Sequence, residues 1–208
     1  MPEWNNTSKT ASGAGITVSV IIPVYNKSPY LIDCLDSLKQ QTYPHLEVLV
    51  IDDGSTDDSW EILRRYQKSW GGDTLHLFQI PHSGPSVARD KGLEEAKGEF
   101  VTFVDADDYC EPGYIEHLVD AIGDADLCLS GHKTWFQRED RWVEEKCPQG
   151  SFSLDGPARR ALGGIGWKLY SLPFFHAHKI SFLLFCFLAA ECFLRFVLIV
   201  CEPRGFIF

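Results

Sequence analysis

No run of basic residues occurs anywhere in this chain. Lys and Arg number 19 against 29 Asp and Glu, a formal net charge of −10. That balance excludes general nucleic-acid binding, which needs a concentrated basic face. There is no C-x-x-C pair either. The seven cysteines are odd in number, scattered and without zinc-ligand spacing, so they read as small buried apolar residues of a reducing compartment. Residues 1–15 hold no apolar stretch; Asn5-Asn6-Thr7-Ser8 and Ser12-Gly13 suit a flexible polar tail rather than a signal peptide. The expected location is therefore cytoplasmic, and the sequon-like Asn5-Asn6-Thr7 has no role there. The loop after the first strand-like run, Pro23-Val24-Tyr25-Asn26-Lys27-Ser28, contains no glycine. A dinucleotide fingerprint of the G-x-G-x-x-G type is thereby excluded, and with it a dehydrogenase.

What is present begins with Glu99-Phe100-Val101-Thr102-Phe103-Val104-Asp105-Ala106-Asp107-Asp108. An apolar, β-branched run leads straight into three carboxylates. The run reads as a strand buried on both faces of a parallel sheet. Open α/β sheets bind ligands at the carboxyl ends of their strands, where these acids fall. One Asp could cap a helix. Three together repel one another unless a cation is shared, and a divalent ion that also touches phosphate would serve.

Other strands alternate with helices across 208 residues, enough for one domain with a sizeable core. Thr17–Ile22 is a strand that Pro23 ends, and Ser28 and Pro29 suit the N-cap and first position of a helix carrying Leu31, Leu35 and Leu38. Leu46–Ile51 is a second strand, ending in Asp52-Asp53-Gly54-Ser55-Thr56-Asp57 before a helix with Trp60, Leu63 and Tyr66. If the strands are parallel, both acidic edges lie on one side of the sheet, and an Asp there can accept from a ribose hydroxyl or a base N–H. Thr74–Gln79 is a third strand. His82 reads as a solvated loop residue, and Ser86–Lys97 as a helix with a small-residue stripe of Ala88, Gly92 and Ala96. Arg89 is within reach either of a phosphate at the acidic edge or of a surface pairing with Asp90 or Glu94. A helix with Tyr114, Leu118 and Ile122, a strand at Asp126–Ser130, and a hairpin joining Trp135-Phe136 to Trp142-Val143 follow. Those tryptophans suit either sugar stacking or ordinary packing. Ser151–Gly166 reads as an irregular connection.

Four segments in order, Val18–Asn26, Ile51–Asp57, Ala88–Gly92 with Gly98–Phe100, and Asp105–Asp108, resemble the inverting family-two glycosyltransferases of the GT-A fold. Trp167-Lys168-Leu169-Tyr170 resembles a further family segment, without the Asn expected after the tryptophan. The resemblance implies an α/β, Rossmann-like, mostly parallel sheet flanked by helices in a single domain. It implies a nucleotide-sugar donor, UDP-linked, with Mg2+ or Mn2+, and a saccharide or lipid-linked acceptor in polysaccharide synthesis. It assigns Pro23, Tyr25, Asn26, Asp53, Arg89 and Asp105 to donor binding, with Pro23, Tyr25 and Asp53 at the base, and Asp107 to the metal. The acceptor hydroxyl, deprotonated by a carboxylate, would invert the anomeric carbon. The family's Glu-Asp pair has only one counterpart here, Glu191, because Cys192 stands in place of the Asp; Glu191 is the candidate base. A catalytically impaired nucleotide-sugar-binding module shares every donor residue and is the alternative.

The expected division is a tail at 1–15, the glycosyltransferase-like domain at 16–181 and an apolar tail at 182–208. From Phe182 to Val200 only Glu191 and Arg195 are charged. Two central charges, each costing roughly 2.5–3.5 kcal/mol on insertion scales, oppose a clean membrane span. An altered chain end, peripheral contact with the inner face of the membrane, and a buried helix remain as readings.

Overall fold

The computed structural model describes residues 15–70, 73–136, 139–145, 166–178, 180–182 and 200–201. The expectations for residues 1–14, for 146–165 and for 183–199, including Glu191, lie outside the described residues. The central strand is β1 (Val18–Val24), paired in parallel with β2 (Leu46–Asp52) on one side and β4 (Phe100–Phe103) on the other. On the outer side of β2, β3 (Leu75–Gln79) adds another parallel strand. Beyond β4 the direction reverses. The antiparallel β8 (Lys168–Ser171) is inserted between β4 and β5 (Leu127–Ser130), and the two-residue β9 (Val200–Cys201) lies parallel to β5. The sheet order is thus β3-β2-β1-β4-β8-β5-β9. A separate hairpin, β6 (His132–Phe136) and β7 (Arg141–Glu145), sets Trp135 opposite Trp142 as the sequence predicts.

Alternation along β1 divides the core. Val18, Val20, Ile22 and Val24 face α1 (Leu31–Lys39), α2 (Ser59–Trp70) and α4 (Tyr114–Ile122), packing with Leu35, Leu63 and Leu118. Ile21 faces the opposite layer, where α3 (Pro85–Glu95) and α5 (Leu172–His178) bring Ala88, Leu93, Leu172 and Phe175 against Val101 and Phe103. Both faces of the central strands are covered, which is why they read as continuous apolar runs. The small-residue stripe has the use expected of it. A Cβ on Gly92 would collide with Ile21, so α3 lies closer to β1 than any larger residue permits. Phe182 also belongs to this layer, its ring 4.8 Å from that of Phe103. Asp90 holds that segment by accepting from Ser181 Oγ (2.8 Å) and Phe182 N (2.6 Å).

At the amino ends of the strands, buried Glu47 ties three segments together. Its Oε1 accepts from Ser19 Oγ (2.5 Å), Lys97 N (2.5 Å) and Gly98 N (3.0 Å). The opposite, carboxyl end is thereby left to carry loops with other duties.

Three local expectations are corrected. Strand β1 does not stop at Pro23 but runs one residue further. Val24 O accepts from Asp53 N on the β2 side and Ile21 O accepts from Val104 N on the β4 side. By alternation the Pro23 nitrogen faces the β4 side, past the last β4 residue, where no ladder bond is lost. Helix α1 starts at Leu31 with Tyr30 as its N-cap, not at Pro29 with Ser28 as the cap: Tyr30 makes no side-chain capping bond, and Lys27 O accepts from the amides of Tyr30 and Leu31 in a preceding turn. Arg89 pairs with neither Asp90 nor Glu94 but with Asp105.

Candidate functional site

Every acidic segment singled out in the sequence reaches the carboxyl edge of the parallel strands. Asp53 follows β2 directly and is 2% exposed. Its Oδ1 accepts from Ser83 N (2.7 Å), and its Oδ2 from Gly84 N (2.9 Å) and from His82 Nδ1 (2.9 Å). The carboxylate therefore clamps the loop that leads into α3. Gly54, at φ 68°, makes the approach possible, since a Cβ there would sit 2.9 Å from His82 N. The His82 ring in turn stacks on Tyr25, with centroids 4.0 Å apart and planes 17° from parallel. Tyr25 is exposed and Pro23 half-buried at the end of β1.

Asn26 sits at φ 51°, a left-handed conformation that Asn tolerates. Its Oδ1 accepts from Thr56 N (2.8 Å) and Asp57 N (3.3 Å), and its backbone N–H donates to Ser55 Oγ (3.0 Å). It is a clip between the loops after β1 and β2. Asp57 completes that clip by accepting from Ser59 N (3.0 Å) and Ser28 N (3.1 Å). Burial alone would raise the Asp57 pKa, but the hydrogen bonds from Ser59 and Ser28 outweigh it and bring it down to about 2. Asp52, fully buried, supports the edge from beneath: its Oδ2 accepts from Gln79 Nε2 (2.9 Å) and Ser55 N (3.3 Å), while Oδ1 has no partner among the described residues.

The other acidic loop follows β4. Asp105 Oδ1 accepts from Arg89 Nη2 at 2.8 Å, and Asp107 Oδ2 lies 2.5 Å from Lys27 Nζ. Both carboxylates stay accessible, at 49% and 41% exposure. Asp108 is more enclosed; burial first, then Asp105 and Asp107, push its pKa up to about 7. Two cations thus face three acids. The two ends of the site share their supports. The loop after β1 carries Tyr25 at one end and Lys27 at the other, and α3 begins at the Asp53 clamp and delivers Arg89 to Asp105.

Asp53, Tyr25, Pro23, Arg89, Asp105 and Asp107 are therefore gathered on one edge, whereas the Asn26 side chain is engaged within the loops. Sequence reasoning missed His82, whose partners lie 29 and 57 positions away; the φ-positive Gly54 beneath it is the only local sign of close packing. It also missed Lys27, which a strand-end loop gives no reason to single out.

The order of strands, the antiparallel β8 beside β4 and the acidic carboxyl edge define a GT-A fold. The chain matches the model of Glycosyl transferase family 2 over residues 19–184 and belongs to that family. EpsH of Bacillus subtilis (strain 168), named as a glycosyltransferase, is 31% identical over 175 residues, spanning 79% of this chain and 50% of that protein. The fold is shared with S. aureus TarS in complex with UDP-GlcNAc, at TM-score 0.71 and 24% identity over 92% of this chain and 58% of the other. The mannosyltransferase PcManGT from Pyrobaculum calidifontis, in complex with GDP-Man and Mn2+, shares it at TM-score 0.66 and 19% identity over 92% and 56%. The chain spans half or less of the length of the curated relatives it matches. Among the described residues no helix is long and apolar enough to cross a membrane.

Proposed function

We propose that this domain transfers a sugar from a UDP-linked donor to a saccharide or lipid-linked hydroxyl, with inversion, in polysaccharide assembly. The observation that carries this reading is the convergence of Asp53, Tyr25, Arg89, Asp105 and Asp107 on one sheet edge. The base lies at the Pro23–Tyr25–Asp53 end and the diphosphate at the Arg89–Asp105 end. A guanidinium gives two directed donors to phosphate oxygens, so Arg89 exchanges Asp105 for the donor's diphosphate at little electrostatic cost. UDP-GlcNAc in TarS supports the donor class.

The donor set fits a hard divalent ion. Among the described residues no three His, Cys, Asp or Glu form a ready-made metal cage. Mg2+ and Mn2+ at phosphate sites do not need one, being held by one or two carboxylates together with the substrate's own oxygens. Asp107 would hold the ion, with Asp105 beside it, and Lys27 would be released toward the phosphates. When bound, the ion supplies charge neutralisation for the departing diphosphate. The acceptor hydroxyl attacks the anomeric carbon from the face opposite that leaving group, a carboxylate taking its proton; Glu191 is the candidate. Mn2+ alongside GDP-Man in PcManGT supports the metal reading. Inner-face membrane association is proposed only for the apolar segment beyond Phe182.

The test is nucleoside-diphosphate release, UDP from a panel of UDP-sugars and GDP from GDP-mannose, each with and without Mn2+. Metal-dependent release from a UDP-sugar is expected. UDP binding without any release would reduce the domain to a binding module, and no affinity for any nucleotide sugar would overturn the reading.

A further inference from the structure

The two accessible acids of the loop after β4 each carry a side-chain cation, and the two cations come from different loops. Asp105 Oδ1 holds Arg89 Nη2 at 2.8 Å, and Asp107 Oδ2 holds Lys27 Nζ at 2.5 Å. Lys27 reaches across 80 positions of sequence to do so, from a backbone that is pinned on both sides. Its N–H donates to Ser59 Oγ (3.0 Å), and its C=O accepts from the amides of Tyr30 (3.0 Å) and Leu31 (3.1 Å). Left-handed Asn26 before it is clipped to the loop after β2. The ammonium therefore pivots on its stem about one anchored point beside Asp107.

An ion pair as accessible as this one, 34% and 41% exposed, adds little to stability. Its consequence is for what else Asp107 can hold. Asp105, Asp107 and Asp108 against Lys27 and Arg89 leave at most one net negative charge. A divalent ion arriving alone competes with the ammonium for the same oxygen and turns that balance positive. Even at water's dielectric, a divalent ion and an ammonium about 5 Å apart repel by enough to weaken binding roughly tenfold. A diphosphate reverses both effects. It brings negative charge, and its oxygens take up the ammonium that leaves Asp107.

We infer that Lys27 is an interlock on Asp107, making entry of the divalent ion conditional on the diphosphate, so that the site takes ion and diphosphate as one unit. The inference rests on the nucleotide-sugar reading above and adds how the two ligands of that site depend on each other. By linkage, the factor by which UDP raises the ion's affinity equals the factor by which the ion raises that of UDP.

Calorimetry and Mn2+ electron paramagnetic resonance, corrected for the Mn2+–UDP complex in solution, test it on the parent, Lys27→Met and Lys27→Arg. In the parent, UDP should tighten Mn2+ binding about 10- to 100-fold. Lys27→Met keeps an unbranched stem and removes the charge. It should bind Mn2+ alone about 10-fold tighter than the parent, yet bind UDP with Mn2+ more weakly, so that the coupling shrinks. Lys27→Arg should keep the parent's pattern. Opposite signs for the two ligands separate an interlock from a structural role, which would weaken both. Mn2+ affinity alone that is unchanged or lower in Lys27→Met overturns the inference, as does a coupling equal to the parent's. A parent that binds UDP with no dependence on Mn2+ overturns it too. A parent that binds no UDP at all refutes the nucleotide reading itself.

Discussion

Replacing Asp53 by Ala removes a single carboxylate that satisfies two backbone amides and a histidine ring at once. Ser83 N, Gly84 N and His82 Nδ1 would lose their acceptor together, at distances of 2.7, 2.9 and 2.9 Å in the native fold. Hydrogen bonds to a charged group contribute about 1.5–3 kcal/mol each when buried, but they are not additive and the loop can admit water. A net destabilisation of about 2–4 kcal/mol is therefore expected, or about 5–15 °C in Tm for a chain of this size. The same change unseats the loop that orients the base. UDP binding should weaken by about 1–3 kcal/mol, which is about 5- to 150-fold in Kd. Thermal unfolding and calorimetry with UDP and Mn2+ on one preparation read both effects. An unchanged Tm would refute the clamp, and an unchanged Kd would refute the claim that the clamp shapes the base end of the site.

Asp107→Ala should abolish the Mn2+-dependent part of UDP binding and leave Tm nearly unaltered, because the carboxylate is 41% exposed; equal affinity with and without the side chain in calorimetry contradicts its metal role. Gly92→Ala forces a methyl into Ile21 and should destabilise by about 1–3 kcal/mol without changing UDP affinity per folded molecule; denaturant unfolding checks it, and an unshifted midpoint refutes the close helix–strand approach. Asp57→Asn probes linkage. The folded pKa of about 2 lies below the unfolded carboxylate value, so its stabilisation is present above that unfolded value and fades as pH falls toward 2. After screening at a half-exposed site, the parent–variant difference should be about 0.5–1 kcal/mol near neutrality and vanish toward pH 2. A difference that grows on acidification contradicts the assignment.

The parallel core was readable because burial on both faces writes an unbroken apolar run, as in Val18–Ile22, Leu46–Ile51 and Phe100–Val104. Alternating helices then fixed its hand and put both acidic edges together. The strand β8 was not readable as such. Lys168–Ser171 is a short segment whose identity as a sheet member depends on β4 and β5 on either side of it, 67 and 43 positions earlier at the paired Thr102–Leu169 and Leu127–Tyr170. The same limit applies at the site. Acids at strand ends announce themselves, whereas the pairings that give them neighbours, Lys27 with Asp107, Arg89 with Asp105 and His82 with Asp53, join loops from different parts of the chain. Asn26 shows the converse: a residue carried by a motif resemblance whose side chain works inside the protein, holding two loops in register.

A crystal structure with UDP and Mn2+ tests the central claim most directly, that the Asp53 and Asp107 ends form one donor site. Uracil should lie against Tyr25 and His82, the diphosphate beside Arg89, and the ion on Asp107. UDP bound away from the carboxyl edge of β1, β2 and β4, or Mn2+ held by residues other than the Asp105–Asp108 loop, would contradict it.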